Sequence, residues 1–409
     1  MEVAIQKFGG TSLHTAEMRA RVCEIISRTI EEGFKVVAVV SAMGREKDPY
    51  ATDTLIKMAK EVNPHPSPRE LDLLMSCGEL ISGTLLACQL SGMGIEARLF
   101  NGQQAGIVTD GDHGNAHIVY VNPGSIMHCL ENNVTPVVAG FQGISEGGEI
   151  TTLGRGGSDT TASALGVALA AKVIDVFTDV DGVMTADPRI VSNARLLDSV
   201  TYNEVCQLAR EGAKVIHPRA VEIAMQANIP LRVRSTTSGS IGTLVSNQIL
   251  GNSKERQFIH DRLITGITYT SDLARIRLSH GQITEQKDVE LRVFKSLAQA
   301  GISVDFINVQ PEVILFTVPA DLATRAVGVL KSLELVPELE LNCAKVAVVG
   351  AAMTGIPGVM ARVVEALSSH GVPILQSGDS YTNIWCLVKK EDMETAVKAL
   401  HDQFELGNK

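Results

Sequence analysis

The chain has 409 residues, of which 45% are hydrophobic and 4% aromatic, and its formal net charge at pH 7 is -10. The length is sufficient for two or three domains, and the hydrophobic content supports sizeable cores, which excludes a disordered chain. The acidic balance argues against a surface for nucleic acid or for anionic membranes, so a site for an anion must be a local exception to the overall charge.

The cysteines and the N-terminus indicate the compartment. The seven cysteines are scattered, with no CxxC pair and no Cys/His cluster at metal-ligand spacing, which predicts buried thiols in a reducing environment. The segment MEVAIQKFGG lacks a basic region followed by an apolar run, so we expect no signal peptide. The longest apolar stretch, at 162–177, is interrupted by Lys172 and Asp175, so we expect no membrane span and a cytoplasmic location.

Up to about residue 245, short apolar strands alternate with helical patterns. The predicted strands are 3–8, 36–40, 95–100, 135–141 and 173–178, and the predicted helices are 16–31, 70–90, 123–131 and 159–170. The run 36–40 is nearly all apolar, which is typical of a strand covered on both faces. This order predicts an α/β three-layer sandwich with a mostly parallel sheet, in which ligands bind beyond the carboxyl ends of the strands.

The C-terminal part contains an internal repeat with a constant offset of seventy residues. For example, Ala274 matches Ala344, and the pair Arg292-Val293 matches Arg362-Val363. Each copy has the pattern strand, helix, strand, strand, helix, which predicts two ferredoxin-like α+β modules that pair their sheets. They are interpreted as ligand-sensing modules, or alternatively as modules that only dimerise the chain. The predicted divisions are a catalytic domain at 1–245, a linker at 246–262, and modules at 263–340 and 341–409.

The glycine-rich segment TTLGRGGSDTTASAL, at 151–165, leads directly into a helical pattern. Glycine lets the backbone approach a ligand closely, and a helix start presents unpaired N–H groups to negative charge. Arg155 adds a planar fork that matches a carboxylate or a phosphate, and Ser158 and Asp159 stand where helix caps belong. The segment therefore predicts an anion site, with an ordinary capped surface turn as the alternative.

Two lysines precede predicted helices at other points. In KFGGTS, Lys7 ends the first strand and is followed by the turn residues Gly9 and Gly10, which predicts a phosphate cradle. In AKVIHPRA, Lys214 precedes a helix that starts with a proline, and FTDVDGVMTADPR, at 177–189, places acids and a glycine turn after a strand. The alternative is that these lysines are solvated side chains, and the sequence leaves this open.

Glu79, in SCGELIS, lies in an otherwise apolar predicted helix. A carboxylate in that position is costly unless it is solvated or holds a cation, so a substrate ammonium group and an exposed helix face are both open interpretations. A lone histidine is more often structural than catalytic, and His217 is interpreted in this way.

These segments together resemble the aspartokinases of the amino-acid-kinase superfamily. The shared strings are KFGGTS (7–12), VVSAMG (39–44), SCGELIS (76–82), VVAGFQG (137–143), TTLGRGGSDTTA (151–162), FTDVDGV with ADPR (177–189) and AKVIHPRA (213–220). The C-terminal repeat resembles the paired ACT modules of the same enzymes, so the resemblance covers nearly the whole chain.

The resemblance implies ATP-dependent phosphorylation of the side-chain carboxylate of L-aspartate to 4-phospho-L-aspartate, the first step of the aspartate-derived amino acid pathway. Mg²⁺ would be carried by ATP, and no metal site on the protein is expected. Feedback would come from an amino-acid effector at the ACT modules, namely diaminopimelate, lysine or threonine, and the overall pattern is most similar to the short, diaminopimelate-responsive members. A homo-oligomer formed through the ACT modules is implied, without nucleic-acid or membrane partners.

The resemblance also implies roles for individual residues. The implied catalytic residues are Lys7, Asp159 and Lys214. The implied nucleotide-binding residues are Lys7, Phe8, Gly9, Gly10, Thr178, Asp179, Met184, Thr185, Ala186, Asp187, Pro188, Arg189 and Lys214. The implied aspartate-binding residues are Thr52, Glu79, Arg155, Gly156, Gly157 and Ser158. The competing hypotheses are another carboxylate or carbamate kinase, acting for example on glutamate or acetylglutamate, and a catalytically silent amino-acid sensor.

Overall fold

The computed structural model describes residues 1–213, 215–247, 263–279, 288–311, 313–351, 353 and 356–408. These residues form two compact units. The first contains Met1–Val183, Leu196–Arg210 and the described part of Lys214–His260, and the second contains Met184–Arg195, Glu211–Ala213 and the described part of Asp261–Lys409. Most of the predicted linker at 246–262 lies outside the described residues, so the predicted domain boundaries stay predictions.

The first unit alternates strands and helices. Its strands are β1 Val3–Phe8, β2 Lys35–Val40, β3 Ala97–Phe100, β4 Ile107–Thr109, β5 Ile118–Val121, β6 Thr135–Ala139, β7 Gln142–Ser145, β8 Ile150–Thr152, β9 Val173–Thr178, β10 Ser199–Val200, β11 Leu231–Ser235 and β12 Thr243–Val245. Its helices are α1 Gly10–Leu13, α2 Ala16–Glu31, α3 Thr52–Val62, α4 Pro68–Gly92, α5 Gly124–Glu131, α6 Gly157–Ala168, α7 Tyr202–Arg210 and α8 Pro218–Gln226.

Eight of these strands form the central sheet, in the order β10-β12-β11-β9-β1-β2-β6-β3. Neighbouring strands are parallel except β11 and β12. Strand β2 is buried along Val36–Val40 because both faces of the sheet are covered. The predicted α/β fold with a mostly parallel sheet is confirmed. Because β1 pairs with both β2 and β9, the loops that follow these three strands begin at one edge of the sheet.

The predicted elements of the first unit differ from the observed ones mainly at their ends. Helix α4 starts at Pro68, earlier than predicted, because the Ser67 hydroxyl accepts a hydrogen bond from the Glu70 N–H and caps the helix. A second, four-stranded sheet in the order β5-β4-β7-β8 was not predicted. Its strands have three or four residues, which is too few for an alternating pattern to be recognised.

Helix α4 is long and apolar enough to cross a membrane by length and composition alone. Half of the relevant window is buried inside the protein, and the buried face of the helix includes the charged residues Asp72 and Glu79. These features are typical of a core helix that packs beside a sheet.

The second unit is built from one antiparallel sheet and four helices among its described residues. Its elements are β13 Gly266–Ser279, α9 Val289–Gln299, β14 Asp305–Gln310, β15 Val313–Pro319, α10 Ala323–Lys331, β16 Glu338–Val349, α11 Val359–Ser369, β17 Gln376–Asp379, β18 Asn383–Lys389 and α12 Met393–Gln403. The sheet order is β14-β15-β13-β16-β18-β17.

The repeat predicted from the sequence corresponds to two structural copies, 266–331 and 338–403, with the pattern strand, helix, strand, strand, helix. The first strands of the two copies, β13 and β16, pair with each other in an antiparallel manner and join both halves into one sheet. The matched residues Ala274 and Ala344 are both fully buried, in separate hydrophobic clusters. The seventy-residue offset therefore reflects equivalent core positions, and the prediction of two α+β modules is confirmed.

Candidate active site

The loops at one edge of the central sheet bring two of the candidate catalytic residues together. Lys7 lies near the carboxyl end of β1, and its Nζ is 2.7 Å from Oδ1 of Asp159 in the first turn of α6. Both side chains are largely buried, so the ion pair is held in a partly desolvated position. Two segments that are 152 residues apart in sequence thus meet at one point.

The turn after β1 is closely packed around its glycines. The Gly9 N–H donates a hydrogen bond to the carbonyl of Phe177, at 3.3 Å, and a side chain at Gly9 would approach Lys7 Nζ. A Cβ atom at Gly10 would lie 2.5 Å from the Ala42 carbonyl oxygen, so only glycine fits there. This close approach leaves the start of α1 beside the lysine, in the arrangement expected of a phosphate cradle.

The glycine-rich loop between β8 and α6 has a shape that depends on a left-handed residue. Gly156 has φ of +71° and is the N-cap of α6, and a Cβ atom there would lie 2.2 Å from Cγ of His217. Gly157 and Ser158 are buried at the helix start, whereas Arg155 is exposed and has no ion pair with another described residue. Arg155 is therefore available for an external anion, two residues before the helix that carries Asp159.

Two charged residues that the sequence analysis did not identify hold this loop. The buried carboxylate of Asp72 accepts hydrogen bonds from the N–H and hydroxyl groups of Thr152 and from the N–H of Gly114, at 3.0 Å. The Arg219 guanidinium donates to the carbonyl of Leu153, at 3.1 Å, and to the carbonyl of Ala116. The residues at the start of the loop are thus fixed by one anion and one cation.

Helix α4 carries a stripe of buried polar residues on one face. Its members are Asp72, Ser76, Glu79 and Ser82, which are three or four residues apart and therefore lie on one side of the helix. This spacing is visible in the sequence, where it places Asp72 on the same helix face as Glu79. The Ser82 hydroxyl donates to the carbonyl of Ser41 in the loop after β2. The side-chain amide of Gln142, at the start of β7, donates to the backbone carbonyl of Ser76.

Glu79 is 2% exposed, which excludes the alternative that it lies on an exposed helix face. Its Oε1 accepts a hydrogen bond from the Ala42 N–H at 3.0 Å, and its Oε2 has no hydrogen-bond partner among the described residues. Burial raises the pKa of the Glu79 carboxyl to about 8, although the hydrogen bond from Ala42 opposes this shift. A buried carboxylate oxygen without a partner is suited to an external cation.

The residues proposed for the nucleotide fall into two groups. Thr178 ends β9 and Asp179 follows it, at the same sheet edge as Lys7. Asp179 forms an ion pair with Arg45, a residue that the sequence motifs did not indicate. The Phe8 ring is fully buried and stacks on Phe177 with centroids 4.9 Å apart, so its side chain has a structural role.

The remaining nucleotide residues, Met184 to Arg189, belong to the second unit. The Thr185 hydroxyl lies 3.0 Å from Nε2 of His401, and Ala186 is part of a hydrophobic cluster of that unit. Asp187 pairs with Arg189 and accepts a hydrogen bond from the Tyr269 hydroxyl. These side chains therefore have structural partners, and a nucleotide contact by them stays a prediction.

The three further residues considered from the sequence are Lys214, Thr52 and His217. Lys214 lies outside the described residues. Thr52 is half-buried at the start of α3. The His217 N–H points to Oδ2 of Asp159 at 3.4 Å, and burial lowers the pKa of its imidazole, in keeping with a structural role. Among the described residues, no group of three or more His, Cys, Asp or Glu side chains is arranged to hold a metal ion.

Comparison with known families supports this description. Residues 2–235 match the amino acid kinase family, and residues 338–402 match an ACT domain. Aspartokinase 1 of Bacillus subtilis is 50% identical over 407 residues, with both chains covered completely. The aspartokinase of Geobacillus stearothermophilus is 40% identical and covers 100% of this chain and 98% of its own.

Solved structures show the same similarity. Escherichia coli aspartokinase III in complex with aspartate and ADP superimposes with a TM-score of 0.77 at 26% identity, covering 98% of this chain and 99% of that one. The same enzyme in complex with lysine and aspartate also gives 0.77, covering 99% and 100% of the two chains. The family matches, the identity to full-length relatives and the ion pair of Lys7 with Asp159 agree: this chain belongs to the aspartokinase family.

Proposed function

We propose that this protein transfers the γ-phosphoryl group of ATP to the side-chain carboxylate of L-aspartate and forms 4-phospho-L-aspartate. The single observation that carries the proposal is the ion pair of Lys7 with Asp159, in a loop cluster that also presents the exposed Arg155. Membership of the aspartokinase family supports the same reaction, because a relative of this fold binds aspartate and ADP.

The reaction needs positioning and charge neutralisation more than proton transfer. A carboxylate nucleophile is already ionised at neutral pH, so no general base is required. The two anionic reactants must be held in line while negative charge spreads over the transferred group. In this proposal Lys7 and the amides of Gly9 and Gly10 bind the phosphates, and Lys214 adds a second cation. Asp159 orients Lys7 through their ion pair.

The aspartate substrate is held at its charged ends. Arg155 binds a carboxylate of aspartate with its planar guanidinium group. The backbone at Gly156, Gly157 and Ser158 supplies further N–H groups at the helix start. Glu79 binds the ammonium group through its unpartnered oxygen. Thr52 lies nearby in this proposal and adds a hydroxyl.

In this proposal Thr178 and Asp179 contact the nucleotide. The chain supplies cations and backbone amides for the phosphates, and Mg²⁺ arrives bound to ATP in this proposal. When bound, that ion neutralises phosphate charge.

A hydroxamate-trapping assay with ATP and a panel of amino acids tests the proposal. Hydroxylamine converts an acyl phosphate into a stable hydroxamate, so we expect product with L-aspartate. A signal with glutamate or acetylglutamate in place of aspartate would favour another carboxylate kinase. No signal with any amino acid, while ligands still bind, would favour the silent sensor.

We further propose that the second unit senses an end-product amino acid, with diaminopimelate as the first candidate and lysine and threonine as alternatives. A relative of this fold binds lysine and aspartate, which supports an amino-acid effector. A cytoplasmic homo-oligomer paired through the ACT modules completes the proposal, and light scattering of the purified chain measures its mass.

A further inference from the structure

The carboxylate of Asp72 joins two segments of the first unit that lie apart in the chain. Its Oδ2 accepts hydrogen bonds from the N–H groups of Gly114 and Thr152, at 3.0 and 3.1 Å, and its Oδ1 accepts one from the Thr152 hydroxyl. Nδ1 of His113 lies 2.8 Å from the same Oδ2. One side chain of α4 therefore binds both the loop between β4 and β5 and the end of β8.

Two further contacts link the same segments. The Ala116 N–H donates to the Thr152 carbonyl at 2.9 Å. The guanidinium of Arg219, in α8, donates to the carbonyl of Ala116 at 2.9 Å and to the carbonyl of Leu153 at 3.1 Å. The β4–β5 loop is thus joined to the end of β8 by an anion, by a backbone hydrogen bond and by a cation.

The joined part of the β4–β5 loop packs against Gly154, the residue before Arg155. Gly154 has φ of +72°, and a Cβ atom there would lie 3.0 Å from Oδ1 of Asn115 and 3.2 Å from the Gly114 carbonyl oxygen. The chain therefore turns toward Arg155 in close contact with residues 114 and 115. Because the Arg155 side chain is exposed, the direction in which it leaves the chain depends on the backbone of this turn.

Asp72 acts on this turn without reaching the solvent. Its side chain is fully buried, and both of its oxygens accept hydrogen bonds from protein donors, so it does not contact a substrate itself. Hydrogen bonds to a carboxylate are stronger than those between neutral groups. Loss of the acceptor would leave the buried N–H of Thr152 without a partner, which is costly. The carboxylate is therefore suited to fix the backbone on both sides of it.

We infer that Asp72 is a positioning residue for aspartate binding, because it fixes the β4–β5 loop to the end of β8 and thereby holds the Gly154–Arg155 turn in the conformation in which Arg155 binds the substrate carboxylate. Residues 113–116, which lie in none of the sequence motifs, accordingly support the substrate site. All of these residues belong to the first unit. The inference rests on the proposed function, because it assigns an effect on binding of the proposed substrate.

The test compares full-length variants in the hydroxamate assay. We expect Asp72→Asn to raise KM for aspartate by about 10-fold, because its side-chain N–H₂ group replaces an acceptor oxygen and displaces the turn. The kcat and the KM for ATP should stay within about 2-fold, since the turn contributes to aspartate binding and not to the phosphate site.

A double variant separates positioning of Arg155 from a general loss of stability. In an Arg155→Ala background, Asp72→Asn should change kcat/KM for aspartate by less than about 2-fold, because the two residues act through the same contact with substrate. A residue that only stabilises the fold would lower kcat/KM by the same factor in both backgrounds.

Asp175→Asn is the matched control. Asp175 is also a buried carboxylate of the first unit, 1% exposed, but it lies in β9 and pairs with Arg232. This variant should lower the midpoint of denaturant unfolding, as Asp72→Asn does, and keep the wild-type KM for aspartate.

Thr152→Val is the milder variant, since it removes one hydroxyl donor to Asp72 and keeps the shape of the side chain. We expect it to raise KM for aspartate by about 3-fold, and it carries the test if Asp72→Asn loses its thermal transition. With an active wild type, the inference is overturned by an unchanged KM in the variant that carries the test, by an equal rise in Asp175→Asn, or by full additivity with Arg155→Ala. An inactive wild type overturns the proposed function instead.

Discussion

Glu79 and Asp72 lie on the same buried face of α4 but have different environments. Both oxygens of the Asp72 carboxylate accept hydrogen bonds from protein donors, whereas Oε2 of Glu79 has no partner among the described residues. The environment of Asp72 is typical of a structural residue, whereas that of Glu79 is suited to binding an external cation. Side-chain chemistry is the same in both, so the difference lies entirely in the groups that surround them.

With Glu79 in its proposed role, its raised pKa makes aspartate binding depend on pH. At a pH below its pKa of about 8, Glu79 is protonated and neutral in the free protein. Binding an ammonium group therefore first requires loss of the Glu79 carboxyl proton. We expect KM for aspartate to fall by about 10-fold between pH 7 and pH 9, because each pKa unit corresponds to a tenfold change in the ionised fraction. Steady-state kinetics across this range measure the slope. Glu79→Gln should bind weakly and show a flat profile; a wild-type KM that is independent of pH contradicts the role.

The ion pair of Lys7 gives a second prediction for a single residue. Lys7→Ala should lower kcat by about 100- to 1,000-fold and change substrate KM much less, because the lysine acts on charge that develops in the transition state. Lys172→Ala is the matched control, since Lys172 is an exposed lysine of the same unit whose partner is Glu2. Unchanged turnover in Lys7→Ala removes this residue from the catalytic role.

At the scale of elements, the site depends on how the loop between β8 and α6 is held. Asp72 and Arg219 fix the residues beside the loop, and the left-handed Gly156 turns the chain into the helix. A substitution in the turn should therefore act on Arg155 and on Asp159 together.

Gly156→Ala tests this element against a matched glycine. Gly148 also has a positive φ, of +81°, but no atom lies within 4 Å of its Cβ position. We expect Gly148→Ala to cost about 1 kcal/mol from backbone strain alone. Gly156→Ala should cost about 1–3 kcal/mol more, because the new methyl group overlaps His217, and it should raise KM for aspartate. Denaturant unfolding and steady-state kinetics measure both; equal effects of the two substitutions would contradict the packing argument.

At the scale of the whole molecule, the two repeats form one sheet through β13 and β16. A change in either repeat can therefore alter the other. Lys345 of the second repeat forms ion pairs with Glu211 and with Asp305 of the first repeat. This arrangement suits a regulatory unit whose two copies act together.

An effector titration tests this regulatory role. Diaminopimelate, lysine and threonine are added separately to the hydroxamate assay at sub-saturating aspartate, with glycine as the control. We expect diaminopimelate to inhibit, with a shift in apparent affinity between about 5- and 150-fold, the usual range of allosteric coupling. Inhibition by lysine or threonine alone would reassign the effector, and no response to any of the three would contradict the sensing role.

The sequence by itself determined the α/β order, the seventy-residue repeat and the motifs around Lys7, Asp159 and Arg155. These features depend on local patterns: buried strands are apolar runs, and equivalent core positions keep equivalent residues. The short strands of the second sheet were not predicted, because three or four residues do not establish a period.

Only the tertiary structure decided which polar residues are buried together. The partners of Asp72 lie about 40 and 80 residues away in sequence, and Lys345 lies 134 residues after Glu211, so no local pattern indicates these contacts. The same holds for Glu79, whose burial depends on the loop after β2 folding over α4. Burial and pairing are properties of the folded environment, because the cost of a charge depends on the groups and the solvent around it.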